Sequence, residues 1–308
     1  MGKCHLSING NNPMEKVTRI LVPPGIGDVY WVLVKLKSFI EKNHLGTPEI
    51  TIVSYPDAFN SHLRSIPFLE MFPWIQIGTP QSVTNAPGLE PIWNGAYMGP
   101  GRSIFPYIMG YDYFIAYNGC INSGGWIETA DEYQCDWLPP MIQSPVIRSV
   151  PGHEKFMLCF FPFMGTYASH ESDFPIPSIA ESINRFVEAS GYFPIFMGGI
   201  LEMMDPRRHE LIERVQPSLD LAGHTSLRDV FGLMQGSQLL FGYHSGIPNI
   251  GVAMGKPSIL LWDNRYPAST AYAGAPPSVR GTSYIAVSTR GLTVNAIIDK
   301  METLCKKQ

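Results

Sequence analysis

A glycine-rich turn near the start of the chain carries an acidic side chain that could take part in catalysis. Gly25, Gly27 and Asp28 lie in the segment PGIGD, between an apolar run and a run with helical spacing. Glycines let the backbone approach a ligand closely, and a carboxylate there can accept a proton from a hydroxyl. The same pattern is typical of a tight turn in which Asp28 caps the helix. A dinucleotide-binding turn is excluded because Tyr30 stands at its third glycine position.

A second turn, in the C-terminal half, has residues suited to phosphate binding. Ser245 and Gly246 follow an apolar strand-like run and precede a helix-like run. A helix N-terminus attracts anions because its first N–H groups are unpaired and its dipole is positive there. An ordinary serine cap would have the same sequence. A serine-hydrolase elbow is excluded, since Tyr243 and Ile247 stand where it requires glycines.

The composition narrows the class of protein. The 308 residues include 22 Lys+Arg and 26 Asp+Glu, and the net charge of −4 argues against nucleic-acid binding through a bulk basic surface. Hydrophobic residues at 45% and charged residues at 16% indicate a chain that buries a large core. The five scattered cysteines predict reduced thiols. The polar N-terminal segment and the lack of a long apolar run predict a cytoplasmic protein.

Strand and helix patterns alternate in the N-terminal half. The PGIGD turn joins a strand beginning at residue 17 to a helix ending near residue 43. Further short apolar runs, at 49–54, 74–78 and 113–118, are typical of buried parallel strands. Between residues 79 and 103 the chain is rich in Pro, Gly and Asn, and an irregular loop of that length is usually functional.

The C-terminal half repeats this alternation after a linker at 138–152 that contains four prolines. Predicted strands lie at 155–161, 193–197, 219–222, 238–241 and 257–262, and predicted helices at 177–190, 207–215, 227–235, 246–254 and 292–307. Ser226 and Asp229 form a capping-box pattern. The sequence therefore predicts two α/β domains, 1–150 and 151–290, followed by a helical segment at 291–308. A ligand site is expected at strand ends, in a cleft between the domains.

Three motifs in the C-terminal half follow one another as in a known family. The segments LAGHTSL (221–227), HSGIPN (244–249) and AMGKP (253–257) resemble L-A-G-K-T-S-L, D-[ST]-G-x-x-H and A-x-G-x-P of the heptosyltransferases, which are GT-B glycosyltransferases. The segment GIGD (25–28) resembles that family's first loop. The resemblance implies two Rossmann-like domains facing a central cleft. It also implies that the N-terminal domain binds the acceptor, the C-terminal domain binds the nucleotide sugar, and the last helix crosses back toward the N-terminal domain.

The resemblance also implies a reaction and its site. A sugar would pass from a nucleotide diphosphate sugar to a hydroxyl acceptor with inversion, and Asp28 corresponds to the family's general base. The acceptor would be a glycan, a lipid-linked molecule or a modified base. The donor is expected to contact residues at the strand ends, namely Gly27, Gly199, Glu202, Thr225, Ser226, His244, Ser245, Gly246 and Asn249. No D-x-D motif occurs in the chain, so no metal cofactor is predicted.

The chain departs from the family at charged positions. His244 stands where the family usually has Asp, Asn249 stands where it has His, and the loop at 162–175 lacks a lysine often used on the donor phosphate. A protonated His244 or His170 could supply part of that charge beside a phosphate. The other consequence would be a different donor or lost catalysis.

Aromatic residues are concentrated in one glycine-rich segment of the N-terminal half. Trp93, Tyr97 and Tyr107 lie within the loop at 91–113, and such side chains can stack on sugar rings or bases. They are the predicted acceptor contacts.

Two other functions stay open from the sequence. A glycosyltransferase acting on hydroxylated DNA bases would hold an extruded base in the aromatic loop, and it would need a local basic patch from Arg64, Arg102, Lys35 and Lys37. A noncatalytic nucleotide-sugar-binding protein would explain His244 and Asn249. A nucleotide-sugar epimerase is disfavoured because the chain lacks a recognisable carboxylate and histidine set.

Overall fold

Two parallel β-sheets, one in each half of the chain, organise the structure. It is a computed structural model that describes residues 16–22, 24–54, 63, 65–82, 111–114, 120–121, 125–126, 149–163, 174–262, 272 and 275–306. Helices connect most of the consecutive strands in the described part of the chain, which is the α/β architecture that the alternating pattern predicts. Of the predicted linker at 138–152, only residues from 149 onward are described.

The N-terminal sheet has the order β3-β2-β1-β5, with β4 also paired to β2, and every pair within it is parallel. Its strands are β1 (Val17–Val22), β2 (Thr47–Ser54), β3 (Gln76–Ile77), β4 (Gln81–Ser82) and β5 (Tyr113–Phe114). Helix α1 (Ile26–Lys42) follows the PGIGD turn, and a short helix α2 (Ile66–Leu69) precedes β3. The predicted strands from residue 17 and at 49–54 and 74–78 are confirmed in position, although β3 is shorter than 74–78. Of the predicted strand at 113–118, only Tyr113–Phe114 lies in the described part of the chain. A two-residue ribbon, β6 (Cys120–Ile121) with β7 (Gly125–Trp126), is antiparallel.

The C-terminal sheet has six parallel strands in the order β10-β9-β8-β11-β12-β13. They are β8 (Phe156–Phe160), β9 (Phe193–Met197), β10 (Leu219–Asp220), β11 (Leu239–Tyr243), β12 (Ser258–Trp262) and β13 (Tyr284–Ser288). The five predicted strands are confirmed, with boundaries that shift by up to two residues. The edge strand β13 was not predicted: it is four apolar residues followed by a serine, and so short an apolar run does not distinguish a strand from other buried chain.

The helices of the C-terminal half also follow the predicted order. They are α3 (Ile176–Ser190), α4 (Ile200–Met203), α5 (Pro206–Arg214), α6 (Leu227–Gly236), α7 (Gly246–Ala253) and α8 (Val294–Cys305). The last helix, α8, packs on α3, and Ile297, Met301 and Leu304 lie in the core of the C-terminal sheet. Its main described contacts are with α3 and the C-terminal sheet, and a crossing back toward the N-terminal domain stays a prediction. No helix in the described part of the chain is long and apolar enough to cross a membrane.

One apolar core extends across both halves of the chain. Ile26 and Tyr30 on α1 belong to the same buried cluster as Ile250 and Ala253 on α7. Phe68 of α2 reaches the same cluster, where its ring centroid lies 5.8 Å from that of Phe231 on α6. Burial of such side chains contributes on the order of 2 kcal/mol each, so these contacts hold α1 and α2 against α6 and α7.

Candidate functional site

The strand order shows where each sheet can receive a ligand. In the C-terminal sheet the chain leaves β8 toward β9 on one side, whereas it leaves β11 toward β12 on the other side. The chain thus leaves β8 and β11 toward opposite edges of the sheet, and open α/β sheets bind ligands at such a switch point, at the carboxyl ends of the strands. In the N-terminal sheet the corresponding point lies between β1 and β5, next to the PGIGD turn.

The first turns of α1 and α7 meet at two glycines. A Cβ atom built on Gly246 would lie 2.6 Å from the backbone nitrogen of Gly27 and 2.7 Å from its Cα atom. A Cβ atom on Gly27 would lie 3.0 Å from the Cα atom of Gly246. Asp28 is the next residue of α1, so its backbone belongs to the same turn. The structure thus brings together the two glycine-rich turns that the sequence singled out.

Ser245 begins α7 in an extended conformation, and its side chain makes no capping hydrogen bond. The ordinary-cap interpretation of Ser245 is therefore wrong, and the first N–H groups of α7 are not satisfied by that hydroxyl. His244, the preceding residue, is 8% exposed, and its ring meets that of Trp262 edge to face at 4.5 Å between centroids. Its backbone N–H donates to the carbonyl oxygen of Leu261 at 2.9 Å, which continues the β11–β12 ladder.

Asn249 lies one turn inside α7 and is only 5% exposed. Its backbone N–H donates to the carbonyl oxygen of Ser245 at 3.2 Å. Asn249 and His244 are therefore both largely buried, one within α7 and the other at the end of β11. Neither is an exposed cation or carboxylate at the rim.

Glu202, a predicted donor contact, lies on α4, the helix that follows the carboxyl end of β9. Its Oε2 atom accepts a 2.9 Å hydrogen bond from the backbone N–H of Gly199, the N-cap of α4. The carboxylate is partly exposed and held against the start of its own helix. This hydrogen bond fixes the orientation of the carboxylate at the sheet edge.

Thr225 and Ser226 lie after β10, at the start of α6. The predicted capping box is confirmed: Ser226 Oγ accepts from the N–H of Asp229 at 3.2 Å, and the Asp229 carboxylate accepts from the N–H of Ser226 at 3.1 Å. The Thr225 hydroxyl donates to the carbonyl oxygen of Leu221 at 3.4 Å. Both predicted donor contacts thus have hydroxyl groups that make hydrogen bonds within the protein.

Replacing Ser226 with alanine should lower the free energy of unfolding by about 1 kcal/mol, because the N-cap of α6 is lost. Ser226→Asn should retain most of the stability, since asparagine also caps helices well. Urea denaturation of both variants measures the difference. Equal stability of Ser226→Ala and the parent protein would contradict this role.

An ion pair that the sequence does not predict lies beside the loop that leaves β8. Arg207 donates from Nη2 to the carbonyl oxygen of Phe163 at 2.5 Å and to Asp205 Oδ2 at 2.7 Å. Asp205 is 6% exposed and is the N-cap of α5, where its Oδ1 accepts from the N–H of Arg207 at 2.9 Å. The dipeptide Asp205-Pro206 is a recognisable helix start, but no sequence pattern indicates the contact with Phe163.

Hydrogen bonds from Arg207 hold the pKa of Asp205 below its ordinary value, although burial opposes them. A carboxyl whose pKa is depressed on folding adds stability above its unfolded pKa, and that stability is lost as the pH falls through the folded pKa. The parent protein should therefore lose unfolding free energy more steeply than Asp205→Asn below about pH 4. Urea midpoints measured from pH 6 down to pH 2.5 test this, and parallel curves would contradict it.

A second ion pair lies beneath the glycines that follow β9. The guanidinium of Arg208 forms two hydrogen bonds with the carboxylate of Asp220, at the end of β10. The Arg208 side chain is 3% exposed, and its Nε atom would lie 3.7 Å from a Cβ atom on Gly198. This pair joins α5 to β10 directly below the start of α4.

A buried serine supports the PGIGD turn. Ser65, the N-cap residue of α2, donates from Oγ to the carbonyl oxygen of Pro24 at 2.5 Å and is 0% exposed. The bond ties the loop after β1 to α2. The only signal in the sequence was a serine two residues before Pro67.

Several predicted residues lie outside the described part of the chain. They are the predicted phosphate contact His170, the predicted acceptor contacts Trp93, Tyr97 and Tyr107, and two members of the predicted basic patch, Arg64 and Arg102. The prediction that Lys35 belongs to the same surface patch is wrong, because Lys35 lies on α1 and is 0% exposed. Lys37 is exposed. In the described ranges, no group of three or more His, Cys, Asp or Glu residues could hold a metal ion.

The fold is that of solved glycosyltransferase structures. The chain matches E. coli ADP-heptose LPS heptosyltransferase II at a TM-score of 0.58 and 13% identity, covering 95% of this chain and 99% of that one. It matches a glycosyl transferase family 9 protein from Veillonella parvula at a TM-score of 0.62 and 13% identity, covering 96% of this chain and 98% of that one. It matches E. coli heptosyltransferase WaaC with ADP at a TM-score of 0.53 and 13% identity, covering 93% of this chain and 100% of that one.

These matches confirm the predicted GT-B fold, which is heptosyltransferase-like over nearly the whole chain. No family model and no curated protein matches the sequence. At 13% identity the likeness is one of architecture, so the site has to be argued from the residues themselves.

Proposed function

We propose, on the premise of this heptosyltransferase-like GT-B fold, that the protein transfers a sugar from a nucleotide diphosphate sugar to a hydroxyl acceptor. The transfer inverts the anomeric configuration and requires no metal. The observation that carries the proposal is the contact between Gly27 and Gly246. It joins the turn of Asp28 to the start of α7, which is the expected donor helix.

The electrostatics of the two helix starts favour a diphosphate. The N-termini of α1 and α7 meet, and each contributes roughly half a positive charge from its dipole. Ser245 leaves the first turn of α7 without a side-chain cap, and the N-cap of α1 is Gly25, which has no side chain. An anion at this point would accept hydrogen bonds from N–H groups that these N-caps do not satisfy.

In the proposed reaction Asp28 is the general base. The acceptor hydroxyl gives its proton to the Asp28 carboxylate as its oxygen attacks the anomeric carbon from the face opposite the diphosphate. The new bond joins the acceptor oxygen to the sugar, and the bond from the sugar to the diphosphate oxygen breaks. The nucleoside diphosphate leaves with its electron pair, and backbone N–H groups of Ser245 and Gly246 stabilise the charge that develops.

The nucleoside is proposed to lie toward β9. Glu202 is held in one orientation by the N–H of Gly199, and a carboxylate so fixed can accept hydrogen bonds from ribose hydroxyls. Thr225 and Ser226 at the end of β10 would then contact the donor through their backbone, because their hydroxyls are engaged within the protein. The acceptor, a glycan or a lipid-linked molecule, is assigned to the N-terminal domain.

A donor screen tests the proposal directly. Purified protein is given ADP-heptose and UDP-, GDP- and dTDP-sugars, with and without acceptor extracts, and release of nucleoside diphosphate is measured in the presence of EDTA. One donor should release nucleoside diphosphate slowly by hydrolysis when no acceptor is present, and faster when an acceptor is added. NMR of the transfer product should show an inverted anomeric centre. A protein that binds no nucleotide sugar would overturn the proposal.

A noncatalytic nucleotide-sugar-binding protein is the second candidate. The observation that favours it is the burial of His244 beside Trp262 and of Asn249 within α7, because neither offers an exposed charge to the leaving group. Donor binding measured by calorimetry, without turnover on any acceptor, would support this candidate over the enzyme.

A further inference from the structure

Backbone atoms of two glycines make the contact between the first turns of α1 and α7. Gly27 on α1 and Gly246 on α7 face each other backbone to backbone, and the methyl group of Ile26 (Cγ2) would lie 3.2 Å from a Cβ atom on Gly246. Cβ atoms in proteins are essentially never found within 3.0 Å of such neighbours. Gly246 is therefore required by its surroundings, since its Cβ atom would lie 2.6 Å from a backbone nitrogen.

The two glycines are not equivalent. A Cβ atom on Gly27 would meet the Cα atom of Gly246 at 3.0 Å, which is at the limit of tolerance, whereas one on Gly246 would overlap two backbone atoms of Gly27. A methyl group on Gly246 should therefore displace the helices more than one on Gly27. The structure predicts this order of severity.

The local backbone cannot relax freely around an added methyl group. Just beyond the glycines, Ile26 and Tyr30 of α1 are buried in one cluster with Ile250 and Ala253 of α7. Dense packing transmits strain, so the overlap must move α1 as a unit relative to α7. Because Asp28 is the residue after Gly27, the turn that carries it moves as well.

We propose that Gly27 and Gly246 are positioning residues whose contact sets the distance between the turn of Asp28 and the donor helix α7. This inference rests on the proposed function, in which Asp28 accepts the proton of the acceptor hydroxyl. A general base must lie within hydrogen-bond reach of that proton, and a displacement of about 1 Å can cost about 10²-fold in rate. The glycines thus act on the chemical step through geometry.

Kinetics of three alanine variants test the role. Gly246→Ala should lower kcat at saturating donor at least about tenfold, and by a larger factor than it raises the donor Kd, because the displacement of α1 moves Asp28 away from the acceptor hydroxyl. Gly27→Ala should lower kcat less. Glu41→Ala is the control: it places a methyl group at an exposed position in the last turn of α1, away from the contact between the glycines. Its kcat should stay within about twofold of the parent value.

The double variant gives a second readout that does not depend on activity. Two substitutions at one contact should shift the urea midpoint non-additively, whereas Gly27→Ala combined with Glu41→Ala should be additive. Additive shifts for Gly27→Ala and Gly246→Ala, or a folded Gly246→Ala with unchanged kcat, would overturn the inference. A parent protein without turnover would refute the proposed function instead, and the coupling of the two glycines would still be measurable.

Discussion

Asp28→Ala should reduce the rate of sugar transfer by about 10²- to 10⁴-fold, which is the usual contribution of a general base. Donor binding should change little, because the donor is assigned to the C-terminal domain. Asp28→Asn should be as impaired as Asp28→Ala, since an amide keeps the size of the side chain but cannot accept the proton. Nucleoside diphosphate release at saturating donor, together with calorimetric donor binding, measures both quantities.

A substitution on the same helix separates this effect from a loss of folding. Glu41 lies exposed in the last turn of α1, so Glu41→Gln removes one carboxylate from the helix without touching the turn. It should transfer sugar at the parent rate. Full activity of Asp28→Ala would remove the base assignment, and equal losses in Asp28→Ala and Glu41→Gln would indicate a general effect of charge on α1.

Local sequence patterns were sufficient to predict most of the strands and helices. The apolar run before PGIGD and the helical spacing after it define β1 and α1, and the same reasoning located α6 from the Ser226 and Asp229 capping box. Each of these elements is determined by residues close together in the sequence, so the local hydrophobic periodicity predicts it. Strands of two residues, such as β4 (Gln81–Ser82), are too short to leave a period.

Lys35 shows where a local pattern fails. A lysine on an amphipathic helix is expected at the surface, yet α1 is covered both by its own sheet and by α7. Two covered faces leave little exposed surface, and Lys35 is 0% exposed. The burial depends on contacts between distant segments, so single-sequence reasoning places the charge on the wrong side of the helix. The basic patch required for a DNA-base glycosyltransferase loses one of its four members.

The candidate site was predictable in its parts but not in its assembly. The two glycine-rich turns were recognisable because strand ends and helix starts carry characteristic residues. Their contact was not, because nothing in the sequence pairs Gly27 with Gly246. The same holds for Arg207, whose place on α5 is a local property and whose bond to the Phe163 carbonyl is a tertiary one. Ligand sites of open α/β sheets are assembled from loops far apart in sequence.

Removing Asp220 from its ion pair with Arg208 should have the largest effect on the free energy of unfolding. Asp220→Ala leaves the guanidinium of Arg208, whose side chain is 3% exposed, without its carboxylate. An uncompensated buried charge costs about 3 kcal/mol or more, so the unfolding free energy should fall by that amount at pH 7. Burial raises the pKa of Asp220, but hydrogen bonds from Arg208 and from the N–H of Ala222 outweigh it and lower the pKa overall. The carboxylate therefore stays ionised at neutral pH.

The same helix offers a matched control for this prediction. Arg214 and Glu210 form an ion pair on α5 with side chains that are 49% and 45% exposed. Glu210→Ala should cost no more than about 0.5 kcal/mol, because solvent screens exposed pairs. Replacing both members of the pair, in Arg208→Met combined with Asp220→Leu, should recover much of the stability lost in Asp220→Ala. Urea denaturation distinguishes these outcomes: equal losses for Asp220→Ala and Glu210→Ala would mean that water screens the guanidinium of Arg208.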